Sequence, residues 1–126
     1  MKAFLWVVAL LTSLGLQTAY AAPQTFLDAD GQRLSLNVPA QRIITLAPHL
    51  TEILLELGAK KQIIAVGDDH EERGLHPLSR SGYPVISDAV TINYERLRAA
   101  QPDLVLAWGE GTPKSWISQL RHWGIP

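Results

Sequence analysis

From Arg42 onward the chain repeats one unit: a short β-branched apolar run, a polar loop, then an amphipathic pattern at helical spacing. That repetition limits the fold more than any other feature. Ile43-Ile44-Thr45-Leu46 reads as a buried strand, with Pro48-His49 as its exit loop. Leu50, Ile53, Leu54 and Leu57 then follow the i, i+3, i+4, i+7 rhythm of one helix face, with Thr51 near the start and Gly58 as the stop. Gln62 to Val66 is the next strand, ending at Gly67-Asp68-Asp69-His70, and Pro84-Val85-Ile86 is a brief third one. Asn93 caps a helix that carries Tyr94, Leu97 and Ala100 inward. Asp103 to Ala107 is a further strand, continuously apolar from Leu104, as a parallel strand covered on both faces would be. Thr112-Pro113 opens the last helix, with threonine as cap and proline at the first helical position. Its inner face is Trp116, Ile117, Leu120 and Trp123, and Gly124 ends it.

Strands that alternate with helices form a parallel sheet, and right-handed crossovers bring all the strand carboxyl ends to one edge. The expected fold is therefore α/β: a single three-layer lobe with a short parallel sheet flanked by helices. A β-hairpin precedes it, because Asp28-Ala29-Asp30-Gly31 separates Thr25-Phe26-Leu27 from Arg33-Leu34-Ser35-Leu36, and Asp-Gly between two such segments is a hairpin signal. Residues 71–83 lack periodicity and contain Gly74, Pro77 and Gly82, so they read as a long surface loop.

The first 21 residues are of a different kind. Lys2 precedes an apolar run from Ala3 to Leu16, and Ala19 and Ala21 supply an A-x-A processing site, the pattern of a cleaved secretory signal. The run covers roughly 21 Å as a helix, short of the ~30 Å hydrocarbon core of a bilayer. The expected organisation is a signal peptide over residues 1–21 and one lobe over residues 24–126. The chain stops at Ile125-Pro126, where another strand is expected to begin, so the lobe reads as truncated.

Without the signal, the chain keeps ten Lys+Arg and twelve Asp+Glu, a net charge of −2. No basic stripe exists to meet a phosphate backbone, which argues against nucleic acid as a partner. The chain has no cysteine, so outside the cytoplasm its stability must come from packing and not from disulfides.

The strand exit loops become neighbours at the shared edge, and they hold His49, then Asp68, Asp69 and His70, then Trp108 and Glu110. Open α/β sheets place their binding crevices at this edge, which makes these residues candidate ligand contacts. Each also has an ordinary structural reading. Trp108 can cap the core, His49 can bond loop backbone, and Asp68 and Asp69 can be solvated turn residues. Two histidines beside carboxylates could hold a metal, but over separate loops they show no ligand spacing, and no metal or cofactor is assigned. Gly109-Glu110-Gly111-Thr112-Pro113-Lys114 lacks the spacing of a phosphate loop. Glu95 lies in the first turn of its helix, where the helix dipole alone accounts for a carboxylate.

Three segments carry a family resemblance: Arg42 to Glu52 with Gly58, Asn93-Tyr-Glu-Arg-Leu97, and Pro102-Asp-Leu-Val-Leu-Ala-Trp108. In this order they resemble the amino-terminal lobe of periplasmic substrate-binding proteins for cobalamin and ferric siderophores. The resemblance covers residues 24–126. It implies two α/β lobes bridged by a long helix, ligand held between them, and delivery to an inner-membrane ABC importer by a monomeric, non-catalytic receptor. It also implies that Trp108 lines the corrinoid cleft and that Glu95 docks onto arginines of the permease.

The sequence departs from cobalamin binders at two places. The loop after the second strand lacks their tyrosine, and Ser87-Asp88-Ala89 lacks the aromatic found after their third strand. Tyr83 is the candidate substitute. A ferric siderophore or haem, with His49 or His70 near the metal, therefore stays open as ligand. A secreted enzyme using the same crevice is the other class, but there is no G-x-S-x-G elbow, no cysteine nucleophile and no H-E-x-x-H helix to support it.

Overall fold

A computed structural model describes residues 22–37, 39–68 and 82–126. The candidate signal peptide, most of the long loop, and the site candidates Asp69 and His70 lie outside these residues.

Strands β1 (Gln24–Leu27) and β2 (Arg33–Leu36) form the expected antiparallel hairpin. Its connection is wider than a tight turn. Asp28 Oδ1 accepts from the backbone N–H of Asp30 and Gln32, at 2.9 and 2.8 Å, and Gly31 takes a φ of +73° that a residue without Cβ adopts freely. The tip is tied to the lobe through Arg121, whose guanidinium pairs with Asp28 and, at 2.9 Å, with Asp30.

The lobe is a four-stranded parallel sheet in the order β5-β4-β3-β6, where β3 is Ile43–Thr45, β4 Ile63–Gly67, β5 Val85–Ser87 and β6 Leu104–Leu106. Helices α1 (Pro48–Glu56), α2 (Tyr94–Ala99) and α3 (Lys114–His122) flank it. The α/β reading of the sequence holds. The core is Ile44, Leu46, Ala65 and Ile86 from the sheet layer, with Leu97 of α2 and Trp116 and Leu120 of α3 packed on it. At the amino edge, Asp103 accepts from the backbone N–H of Gln41 and Arg42, while the Arg42 guanidinium donates to the carbonyls of Ala100 and Gln101. The acid thus fixes the start of β3 against β6, and the base satisfies carbonyls left open at the end of α2. Among the described residues no helix is long and apolar enough to cross a membrane.

Three local readings are corrected. Pro48 and His49 are not an exit loop but the first turn of α1, with Pro48 at the position where a missing N–H costs nothing. The helix also turns a different face inward than the leucine stripe suggested. Pro48 and Thr51 are buried, whereas Ile53 and Leu57 are 51% and 74% exposed. Thr51 is tolerated inside because its hydroxyl pairs with that of Thr45 at 2.6 Å, so neither buried oxygen lacks a partner. At α3, Pro113 and not Thr112 is the capping residue, because the Thr112 hydroxyl turns back onto the preceding loop.

Candidate functional site

Because all four strands of the sheet run the same way, the segments that leave them meet at one rim. They enclose a concavity of about 210 Å³ lined by residues that follow β3 (Leu46 to His49), β4 (Asp68), β5 (Asp88, Ala89) and β6 (Trp108, Gly111 to Pro113), with Trp116 beneath. Of the candidates read from the sequence, His49, Asp68 and Trp108 are brought together here.

Trp108 is 48% exposed, an unusual amount for so large an apolar ring beside a core. Its backbone is held firmly: the Thr112 hydroxyl accepts its N–H at 3.1 Å, and its carbonyl accepts from the N–H of Gly111 and Thr112 at 3.2 and 2.8 Å. The ring lies beside Gly111, where a Cβ would meet it at 3.8 Å, an ordinary contact distance. His49, on the first turn of α1, meets Trp108 with ring centroids 4.3 Å apart and planes at 82°, the edge-to-face arrangement that aromatic quadrupoles favour. One wall of the cavity is therefore a preset aromatic pair.

The opposite wall is acidic. The Asp68 backbone N–H donates to the Ser87 carbonyl at 2.8 Å, which sets its side chain at the rim. Asp88 folds its own loop, accepting from the N–H of Val90 and Thr91 at 2.9 and 2.7 Å and from the Thr91 hydroxyl at 2.9 Å. This turn presents Ala89 to the cavity and leaves Val90 81% exposed at its tip. The strand ends approach closely at Gly67, where a Cβ would lie 2.7 Å from the Leu46 carbonyl oxygen.

Other candidates fall elsewhere. Tyr83 precedes β5, so in a parallel sheet it sits at the amino edge, away from the cavity. Its hydroxyl donates to the Lys60 carbonyl at 3.0 Å, and the expectation that it replaces a missing cleft aromatic is corrected. Glu110 is exposed on the 108–112 turn and does not line the cavity. Glu95 is exposed in the first turn of α2, behind the side-chain cap that Asn93 Oδ1 gives the Arg96 N–H at 2.9 Å. Asp88, Ala89 and Thr112 belong to the site, though as candidates they escaped the sequence reading. The Asp and Thr beside turn residues were the available signal. Among the described residues no group of three or more histidines and carboxylates could hold a metal.

A parallel sheet whose carboxyl-edge segments enclose an aromatic and acidic concavity is an α/β lobe with a cleft where such sheets place small-molecule sites. Over 107 residues, 85% of this chain, the sequence is 39% identical to a vitamin B12-binding protein of Vibrio campbellii, of which the match covers 36%. It is 38% identical over 86 residues to a vitamin B12-binding protein of Pectobacterium carotovorum, covering 68% of this chain and 30% of that relative. The crystal structure of the periplasmic vitamin B12 binding protein of Vibrio cholerae matches with a TM-score of 0.59 at 36% identity, over 69% of this chain and 32% of that one. The periplasmic heme-binding protein of Roseiflexus sp. RS-1 matches with a TM-score of 0.56 at 25% identity, over 69% and 32%. No family model matches the chain. The chain belongs to the family of periplasmic binding proteins that includes these relatives, and it spans about a third of the length of the curated relatives it matches.

Proposed function

We propose that this chain is the amino-terminal lobe of a periplasmic receptor that binds cobalamin or a similar metal chelate and delivers it to an inner-membrane ABC importer. The observation that carries the reading is Trp108: half-exposed, fixed by Thr112 and braced by His49, it offers a rigid apolar plane at the sheet edge. A flat macrocycle is the natural occupant of such a plane, since a preset ring loses little conformational entropy on contact. The kinship with vitamin B12-binding proteins supports the same ligand. A second lobe closing over the macrocycle would complete the enclosure.

The receptor acts as a monomer and without catalysis in this reading, and residues 1–21 direct it to the periplasm as a cleaved signal. Glu95 is the docking carboxylate toward the permease. It is exposed and lines no part of the cavity, as a residue that sets register and on-rate with a basic partner should be. The heme-binding relatives support haem as a second ligand, with His49 at the cavity to face its iron.

The test is a titration of the protein with cyanocobalamin, followed by quenching of tryptophan emission. Trp108→Ala should weaken binding at least tenfold, and a variant that binds as tightly as the parent removes the cleft assignment. Glu95→Lys should leave affinity in solution unchanged and abolish uptake in cells. Loss of affinity in that variant would place Glu95 in the fold or the cleft instead of the docking surface.

A further inference from the structure

We infer that Asp68 is a specificity-determining residue of the cleft: it accepts a hydrogen bond from an uncharged N–H or O–H donor on the ligand and, with Asp88, turns away chelates that present carboxylates or catecholates there. This rests on the receptor reading above and names the chemical class of its ligand.

The two carboxylates at the cavity differ in how they are used. Asp88 is occupied by its own turn, with two backbone N–H groups and one hydroxyl donating to it. Asp68 is partly buried and lines the cavity, yet among the described residues its carboxylate has no hydrogen-bond or salt-bridge partner. A half-desolvated carboxylate with no partner is costly, and a ligand donor placed against it recovers what folding leaves unmet. Its place is not accidental, because the backbone N–H of Asp68 is pinned to the Ser87 carbonyl.

Charge then selects among donors and acceptors on the ligand. Among the described residues the cavity lining contains no lysine or arginine, and its one histidine, His49, packs edge-on against Trp108. A ligand carboxylate or catecholate brought beside Asp68 would meet a like charge at short range, with no lysine or arginine among the described lining residues to offset it. A macrocycle whose rim carries primary amides meets an acceptor instead. Ala89, a small side chain on the neighbouring wall, leaves room for such arms beside the ring.

Three probes separate the cases: cyanocobalamin, whose corrin rim bears amides; hemin, which bears two carboxylates; and a ferric triscatecholate, which is strongly anionic. The parent protein should bind cyanocobalamin most tightly. Asp68→Leu, which removes both acceptors, should weaken cyanocobalamin about tenfold or more, the worth of a hydrogen bond to a charged group. Asp68→Asn should lose less and bind hemin and the triscatecholate better than the parent does. Since this side chain has no partner among the described residues and its desolvation is a cost, neither variant should melt below the parent, and that is the check on folding. If Asp68→Leu binds cyanocobalamin as tightly as the parent, the inference is overturned while the receptor reading stands. Preference of the parent for either anionic chelate overturns it too, and again leaves a receptor. If the parent binds none of the three, the receptor reading fails and takes the inference with it.

Discussion

Gly67→Ala perturbs the point where three strands converge beneath the cleft. An added Cβ would lie 2.5 Å from Ser87 Oγ, 2.7 Å from the Leu46 carbonyl oxygen and 2.8 Å from its carbon, against 3.4–4 Å for ordinary contact. The serine hydroxyl can rotate aside. The Leu46 carbonyl cannot, because it belongs to backbone at the end of β3, so the ends of β3 and β4 must part by roughly 0.7 Å, the gap between 2.7 and 3.4 Å. Overpacking of this kind costs about 1–3 kcal/mol. For a domain of ~100 residues each kcal/mol moves the melting temperature by about 4–8 °C, so the variant should melt about 5–20 °C lower. Gly109→Ala is the control, because its Cβ would meet only Ala29 Cβ at 3.6 Å, and it should melt with the parent. Thermal unfolding followed by circular dichroism measures both. If Gly67→Ala melts within a degree or two of the parent, the strand ends do not converge as described.

Three further outcomes follow from particular contacts. Thr51→Val leaves the buried Thr45 hydroxyl without its 2.6 Å partner and should cost about 1–3 kcal/mol, read from the urea midpoint at unchanged slope. Thr112→Val removes the acceptor of the Trp108 N–H, so the Trp108 ring should become more mobile and cyanocobalamin affinity should fall, while Thr112→Ser should rescue both. At Asp28, partial burial pushes the carboxyl up, but hydrogen bonds from the Gln32 N–H, the Arg121 guanidinium and the Asp30 N–H outweigh it and hold the group below its ordinary 3.8. A depressed carboxylate contributes stability that is complete above its unfolded value and is lost as pH falls through the folded one. Hydrogen-exchange protection of the hairpin should therefore drop below about pH 4, and Arg121→Gln should reduce that pH dependence.

The strands were readable because packing within a parallel sheet favours short β-branched and apolar runs, which Ile43 to Leu46 and Leu104 to Ala107 supply, although the second is an edge strand and only partly buried. The gathering of His49, Asp68 and Trp108 was readable too, since it follows from parallel topology and not from any local motif. What escaped was set by tertiary partners. The leucine spacing of α1 pointed to a face that the structure leaves exposed, because a hydroxyl pair between Thr45 and Thr51 lets a polar residue face the sheet. Thr112 looked like a helix cap, but the same hydroxyl geometry serves the Trp108 N–H equally well. Tyr83 looked free to reach the cleft only while the side on which β5 begins was unknown. Arg42 and Asp103 sit 61 residues apart in sequence, and no pattern along the chain announces that pairing.

Hydrogen exchange mapped residue by residue, with and without saturating cyanocobalamin, tests the central claim most directly. Ligand should slow exchange at 46–49, 68, 88–91 and 108–112, four segments far apart in sequence, and leave 33–36 and 60–62 unchanged. Protection at the hairpin or at the amino edge around Lys60 and Tyr83, with none at Trp108, would contradict a binding face built from the carboxyl ends of the strands.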